Sequence, residues 1–179
     1  MTPRFEIVEA KRFHCGQMAR VMRRDYLAAL LTAAAKPHHE LIDCFEQSAF
    51  RKAWLIDGKV AAVGGVTGTL MNGEGMVWLA LSEEATRHPK AVIVEARRQI
   101  AGLMRTRREL RASIFEGDEA SLRLAIFLGF QAIGCLWEGP AETREGRQLL
   151  AREIAGNADL RITVGTSFMI PMAYRSEAD

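Results

Sequence analysis

The alternation of apolar and polar residues starts almost at once. Phe5 to Glu9 follows a period of two and reads as a short strand. From Lys11 to Ala35 the period changes: Met18, Val21, Met22 and the Leu27–Leu31 cluster recur at three and four residues. That spacing predicts one long helix, interrupted by Pro37. A second helix is predicted from His39 to about Phe50, with Leu41, Ile42, Phe45 and Ala49 on one face. Strand patterning resumes at Ala53–Ile56, crosses Asp57-Gly58, continues from Lys59 to about Leu70, crosses Asn72-Gly73 and runs again from Gly75 to Leu81. Asp-Gly and Asn-Gly between strand-like runs mark tight hairpins, whose two central residues need positive φ. Two in succession specify a three-stranded antiparallel meander.

The polar stretch Ser82–His88 ends at Pro89, which suits a first helical position because its missing N–H has no partner there anyway. A helix follows to about Arg108, with Ile93, Ala96, Ile100, Leu103 and Met104 as its buried stripe. Leu110–Phe115 reads as a strand. Asp118 is placed to cap a helix carrying Leu122, Leu124, Ala125 and Leu128 and stopping at Gly129. Phe130–Trp137 is the next strand, Thr143–Ala155 an amphipathic helix beyond Gly139-Pro140, and Ile162–Met172 a last strand. The class is α/β: a mixed, mainly antiparallel central sheet flanked by helices. Residues 1–138 form the core, and 139–179 add a helix and a strand to the same domain.

Composition narrows the function less than the fold. A chain of 179 residues with 49% hydrophobic content suits one self-sufficient core. The formal charge of +2 gives no bulk argument for nucleic acid. Cys15, Cys44 and Cys135 are odd in number and fit no metal spacing, so three reduced thiols in a cytoplasmic setting are expected. No leader pattern and no membrane-length apolar run is apparent. Pro37-His38-His39-Glu40 places adjacent histidines on a forming helix, where they point apart, so no metal site is assigned. Gly64-Gly65-Val66-Thr67-Gly68 sits inside a strand and lacks a following Lys-Ser/Thr, which reads as a bulge or close backbone approach.

The element order, with Asp118-x-x-Ser121-Leu-x-Leu and the closing Leu128-Gly129-Phe130, resembles the GCN5-related N-acetyltransferase superfamily over about Phe5–Trp137. A narrower likeness, carried by Met76-Val-Trp-Leu-Ala-Leu-Ser82, a polar loop, a basic helix and the Gly-Phe end, is to internal virion proteins of T7-like phages. The superfamily resemblance implies acetyl-CoA at the junction between the fourth strand and the long helix. Enzymes of the superfamily carry glycines there, so that peptide N–H groups close around a pyrophosphate at a helix start. Here Ser82-Glu83-Glu84-Ala85-Thr86-Arg87-His88-Pro89-Lys90 has no glycine. The residues the resemblance offers to the cofactor are Leu81, Ser82, Arg87, His88, Lys90 and Asp118. No metal is implied.

No catalytic residue is assigned. The superfamily's Tyr on the last helix falls at Ala125, and Glu74 and Glu116 read as turn carboxylates. Trp54, Trp78 and Trp137 read as sheet packing. Three functions follow. One is a virion-associated phage protein without acetyl transfer, attached to a particle or packaged in it and surrounded by protein partners or its own copies. The alternative is an acetyl-CoA-dependent N-acetyltransferase acting on an amine. The third is an adaptor whose basic helix, through Arg97, Arg105 and Arg108, meets protein or nucleic acid.

Overall fold

The computed structural model describes residues 3–32, 36–68, 73–115, 118–132, 135–136, 160–164 and 167–175. In chain order the described elements are β1 (Phe5–Glu9), α1 (Arg12–Val21), α2 (Arg24–Thr32), α3 (Pro37–Gln47), β2 (Ser48–Ile56), β3 (Lys59–Thr67), β4 (Glu74–Leu81), α4 (Glu83–Thr86), α5 (Pro89–Met104), β5 (Glu109–Phe115), α6 (Glu119–Leu128), β6 (Gln131–Ala132), β7 (Cys135–Leu136), β8 (Leu160–Val164) and β9 (Ser167–Arg175). The sheet runs β1-β2-β3-β4-β5-β9-β8-β7, with β6 also on β9. Pairing is antiparallel except between β4 and β5 and between β7 and β8.

The meander forms as the pattern predicts. Asp57 and Gly58 both take positive φ, 48° and 75°, as a tight hairpin of that hand requires. Of the second turn, Asn72 lies outside the described residues. Gly64 and Gly65 lie where strands crowd together. A Cβ on Gly64 would stand 2.7 Å from the Trp78 carbonyl oxygen, and one on Gly65 2.5 Å from that of Phe50. The register shift between Ser48 and Phe50 lies opposite, so the expected close approach is accompanied by a bulge.

Five predicted elements change, the strand expected at Phe130–Trp137 among them: its described parts are β6, on β9, and β7, on β8. The helix expected from Lys11 to Ala35 is two helices, broken at Met22–Arg23, because Met22 leaves the helix to form a bridge with Ser82. Pro37 starts α3 instead of ending a helix, and the residues from Ser48 onward join β2. The junction after β4 is not wholly loop: Ser82 caps the four-residue α4, its hydroxyl accepting from the Ala85 N–H at 3.3 Å. The last predicted strand divides into β8 and β9, which pair antiparallel. The expected helix Thr143–Ala155, Trp137 and Glu116 lie outside the described residues.

Side chains fill both faces of the sheet. On one face Val8, Ala53, Val63, Ala80 and Phe115 pack with Met18, Leu30, Leu41 and Phe45 of α1–α3. On the other, Trp54, Ala62, Val66, Leu81, Leu110 and Ile114 meet Val92, Ala96, Ile100 and Leu103 of α5 and Ala125 of α6.

Candidate functional site

The site begins with an incomplete pairing. β4 and β5 lie parallel, yet they pair only from Glu74–Met76 to Glu109–Arg111. Beyond that point β4 continues to Leu81 and β5 to Phe115 with no ladder between them. Antiparallel pairing with β3 decides where the peptide groups of β4 point, since successive residues turn to opposite edges. The Ser82 N–H donates to the Ala61 carbonyl at 2.9 Å and so faces β3. The odd-numbered residues of β4 therefore turn their peptide groups away from β3: the Val77 N–H completes the ladder to the Arg111 carbonyl, the Leu81 carbonyl meets the Arg23 N–H, and the Val77 carbonyl and the Leu79 peptide group are left toward the gap.

A cavity of roughly 190 Å³ occupies this gap. Leu79, Ile100, Leu103 and Ala125 line it from the α5–α6 side, and Tyr26, Trp78 and Phe115 from the α1–α3 side. It therefore passes between the strands from one face of the sheet to the other. Trp78 is fixed by donating its Nε1–H to Ser48 Oγ at 2.7 Å. Burial, with Cys44 and Asp118 nearby, pushes the Tyr26 hydroxyl well above the usual phenol range, so it stays protonated.

One end of the gap is crossed by Arg23. Its N–H donates to the Leu81 carbonyl at 2.9 Å. Its guanidinium reaches Asp118 and donates to Ser121 Oγ at 2.9 Å. Asp118 also caps α6, Oδ1 accepting from the Ser121 N–H at 3.1 Å. Both charges are buried, Arg23 being 7% and Asp118 1% exposed. The pairing is incomplete: Asp118 Oδ2 and Arg23 Nε have no hydrogen-bond partner. A helix start, a strand end and a cap are thus tied together across the gap. The break between α1 and α2 places Arg23 there, and a continuous helical reading of Lys11–Ala35 conceals it.

The residues expected at a cofactor divide into two groups. Leu81 and Asp118 line the cavity. Ser82 is buried, and its hydroxyl serves the α4 cap. Arg87 donates to Glu84 at 2.8 Å, and His88 lies 3.3 Å from the same carboxylate. Lys90 is exposed on the first turn of α5. Ala125 lines the cavity as an apolar wall. Glu74 sits at the paired end of β4, 3.6 Å from Arg111. Arg97 of the basic helix stacks on the Phe127 ring and donates to its carbonyl. No cluster of metal-ligating side chains occurs among the described residues, and the rings of His38 and His39 stand 6.2 Å apart.

The same fold recurs in solved structures. Spermidine N-acetyltransferase from Vibrio cholerae, in complex with CoA and spermine, matches with a TM-score of 0.62 at 10% identity, over 96% of this chain and 95% of that one. RimL, a ribosomal L7/L12 alpha-N-protein acetyltransferase in complex with coenzyme A, matches at 0.60 and 12%, over 98% and 96%. An acetyltransferase of the GNAT family from Streptococcus pneumoniae matches at 0.55 and 12%, over 97% and 100%. The fold is that of the GCN5-related N-acetyltransferases. No protein-family model matches the chain, and no curated protein does. In this chain the Arg23–Asp118 pair ties across the parted ends of β4 and β5.

Proposed function

We propose that the protein is an acetyl-CoA-dependent N-acetyltransferase that transfers an acyl group to an amine within the gap between β4 and β5. The observation that carries this reading is the cavity through the sheet at the one place where β4 offers peptide groups with no strand to meet them. An amide-bearing chain laid along Val77 and Leu79 satisfies those groups as another strand would, while apolar walls exclude water from the reacting end. The structures matched above that contain CoA or spermine support the choice of donor and acceptor.

Coenzyme A supplies the activated thioester when bound. The Val77 carbonyl and the Leu79 peptide group would orient its arm, and the Leu79 N–H would be the donor available to a developing oxyanion. In the transfer a C–N bond forms and the C–S bond breaks, with one amine proton released and one proton gained by the departing sulfur. Tyr26, which burial keeps protonated in the cavity wall, is too weak an acid to give that proton; the proton released by the attacking amine supplies it. The glycine-free junction fits the nucleotide end of the cofactor poorly, because Arg87 and His88 are engaged by Glu84.

The same poor fit at the junction supports a second reading, a GNAT-fold protein that binds protein partners and does not turn over, as a component of a phage particle would. Calorimetric titration with acetyl-CoA separates the two. A dissociation constant in the micromolar range, with thiol release on adding an amine such as spermidine, is the expected result. No heat at millimolar acetyl-CoA sinks the transferase reading and leaves the particle component.

A further inference from the structure

The two ends of the candidate site offer opposite chemistry. Inside the gap the edge of β4 and an unpaired carboxylate oxygen suit a neutral amide. The Val77 carbonyl and the Leu79 peptide group face it, and Asp118, a lining residue 1% exposed, keeps one carboxylate oxygen, Oδ2, without a partner. At the junction the groups that would meet phosphate are engaged or of the wrong sign, Lys90 on the exposed first turn of α5 excepted. Ser82 Oγ accepts from the Ala85 N–H, while Arg87 and His88 are both held by Glu84. Glu83 and Glu84 lie in the first turn of α4, and Pro89 opens α5 without an N–H. Between the two ends stands the buried Arg23–Asp118 pair, joined by backbone to Leu81.

We infer that the acyl donor is recognised through its pantetheine arm alone and that no nucleotide is read. The ligand class is an S-acyl pantetheine or 4′-phosphopantetheine thioester. This rests on the acyl-transfer reading above and narrows its donor. A pantetheine arm carries two secondary amides, each with an N–H and a carbonyl. The edge of β4 matches such a chain in the way strands match each other. One N–H directed at Asp118 Oδ2 gives that carboxylate the partner it lacks, and burial makes such an unmet acceptor strongly discriminating. An adenosine diphosphate extending past Leu81 meets the Arg23 crossing and then the Glu83–Glu84 turn, where like charges repel it.

Calorimetry on the full chain tests this with three probes: S-acetyl-pantetheine, S-acetyl-4′-phosphopantetheine and acetyl-CoA. The expected dissociation constants agree within about threefold, since each adds only groups the site does not contact. Acetyl-CoA binding 30-fold or more tightly than acetyl-pantetheine overturns the inference while leaving acyl transfer intact. No binding by any of the three at millimolar concentration removes both. The Asp118→Asn variant is expected to weaken all three probes by about tenfold; if that variant does not fold, the wild-type series still decides. Acetyl-phosphopantetheine loaded on the expression host's acyl carrier protein identifies the source. Binding tenfold tighter than the free thioester assigns a carrier-borne arm, and equal or weaker binding assigns the free one; either accords with recognition of the arm.

Discussion

Cys15 and Cys44 show how far burial alone sets the chemistry of a residue. Both thiols are pushed up to about 11, first by burial; for Cys44 the neighbouring Glu40 and Asp43 add to it, while Arg12 and Arg51 partly offset it at Cys15. The sign follows directly. With the folded value above the ordinary 9.0, the folded chain keeps protons that the unfolded chain releases, so stability is full below pH 9 and falls as pH rises toward 11. Melting temperature measured from pH 8 to 11 is expected to drop less steeply in a Cys15→Ala/Cys44→Ala chain than in the parent. Parallel slopes over that window would rule the two thiols out as its cause. Reactivity moves the same way. At pH 8.5 the two native thiolates are populated about 100-fold less than exposed ones, since each pKa unit is a factor of ten. Iodoacetamide should therefore modify them only when urea unfolds the chain. His14 carries the mirror case: burial and Lys11 lower it, consistent with its ring Nδ1 accepting from the Lys11 N–H at 2.9 Å as a neutral group.

At the scale of elements, the break between α1 and α2 matters more than either helix. It directs Arg23 across the gap, and a buried charge pair of this kind is costly to half-remove. Arg23→Met leaves the Asp118 carboxylate buried with only the Ser121 hydroxyl and N–H nearby, and a loss of about 3–5 kcal/mol is expected. Asp118→Leu should cost a similar amount. The double variant is expected to unfold at a urea midpoint above both single variants, because desolvation is then no longer unbalanced. Additive losses would show that the two side chains act independently of each other. This break was not legible in the sequence, since Met22 and Leu30 keep the helical period on both sides of it. Only the tertiary bridge to Ser82 interrupts the helix. The hairpin at Asp57-Gly58 and the capped helix from Asp118 to Gly129 were legible for the opposite reason: each depends on local backbone chemistry, a pair of positive φ angles or a side chain bonded to its own helix start.

Over the whole molecule, the fold could be read from element order and turns, whereas the gap could not, because it is a relation between two strands and leaves no residue signature. Of the residues expected to hold a cofactor, Leu81 and Asp118 line the gap, while Ser82, Arg87, His88 and Lys90 stand at the β4–α5 junction; the gap adds Val77, Leu79, Tyr26 and Trp78, ordinary strand and helix residues until β4 and β5 part. That geometry yields a test separating the cavity from the junction as the place of binding. Ala125 is buried, lines the cavity and stands on α6, away from α4 and the start of α5. Replacing it by Leu adds three carbons to a space of roughly 190 Å³ that is already apolar on that side. Filling existing space costs little and is worth up to about 1–2 kcal/mol when the new side chain finds a rotamer. Urea unfolding of Ala125→Leu should therefore show stability unchanged or raised, while affinity for acetyl-pantetheine falls at least tenfold. A stable variant that binds as well as the parent would move the binding site out of the gap. A variant that loses stability would show the gap already filled by its own walls, and Gly64→Ala supplies the contrast: its new Cβ meets the Trp78 backbone at 2.7 Å and must destabilise whatever occupies the cavity.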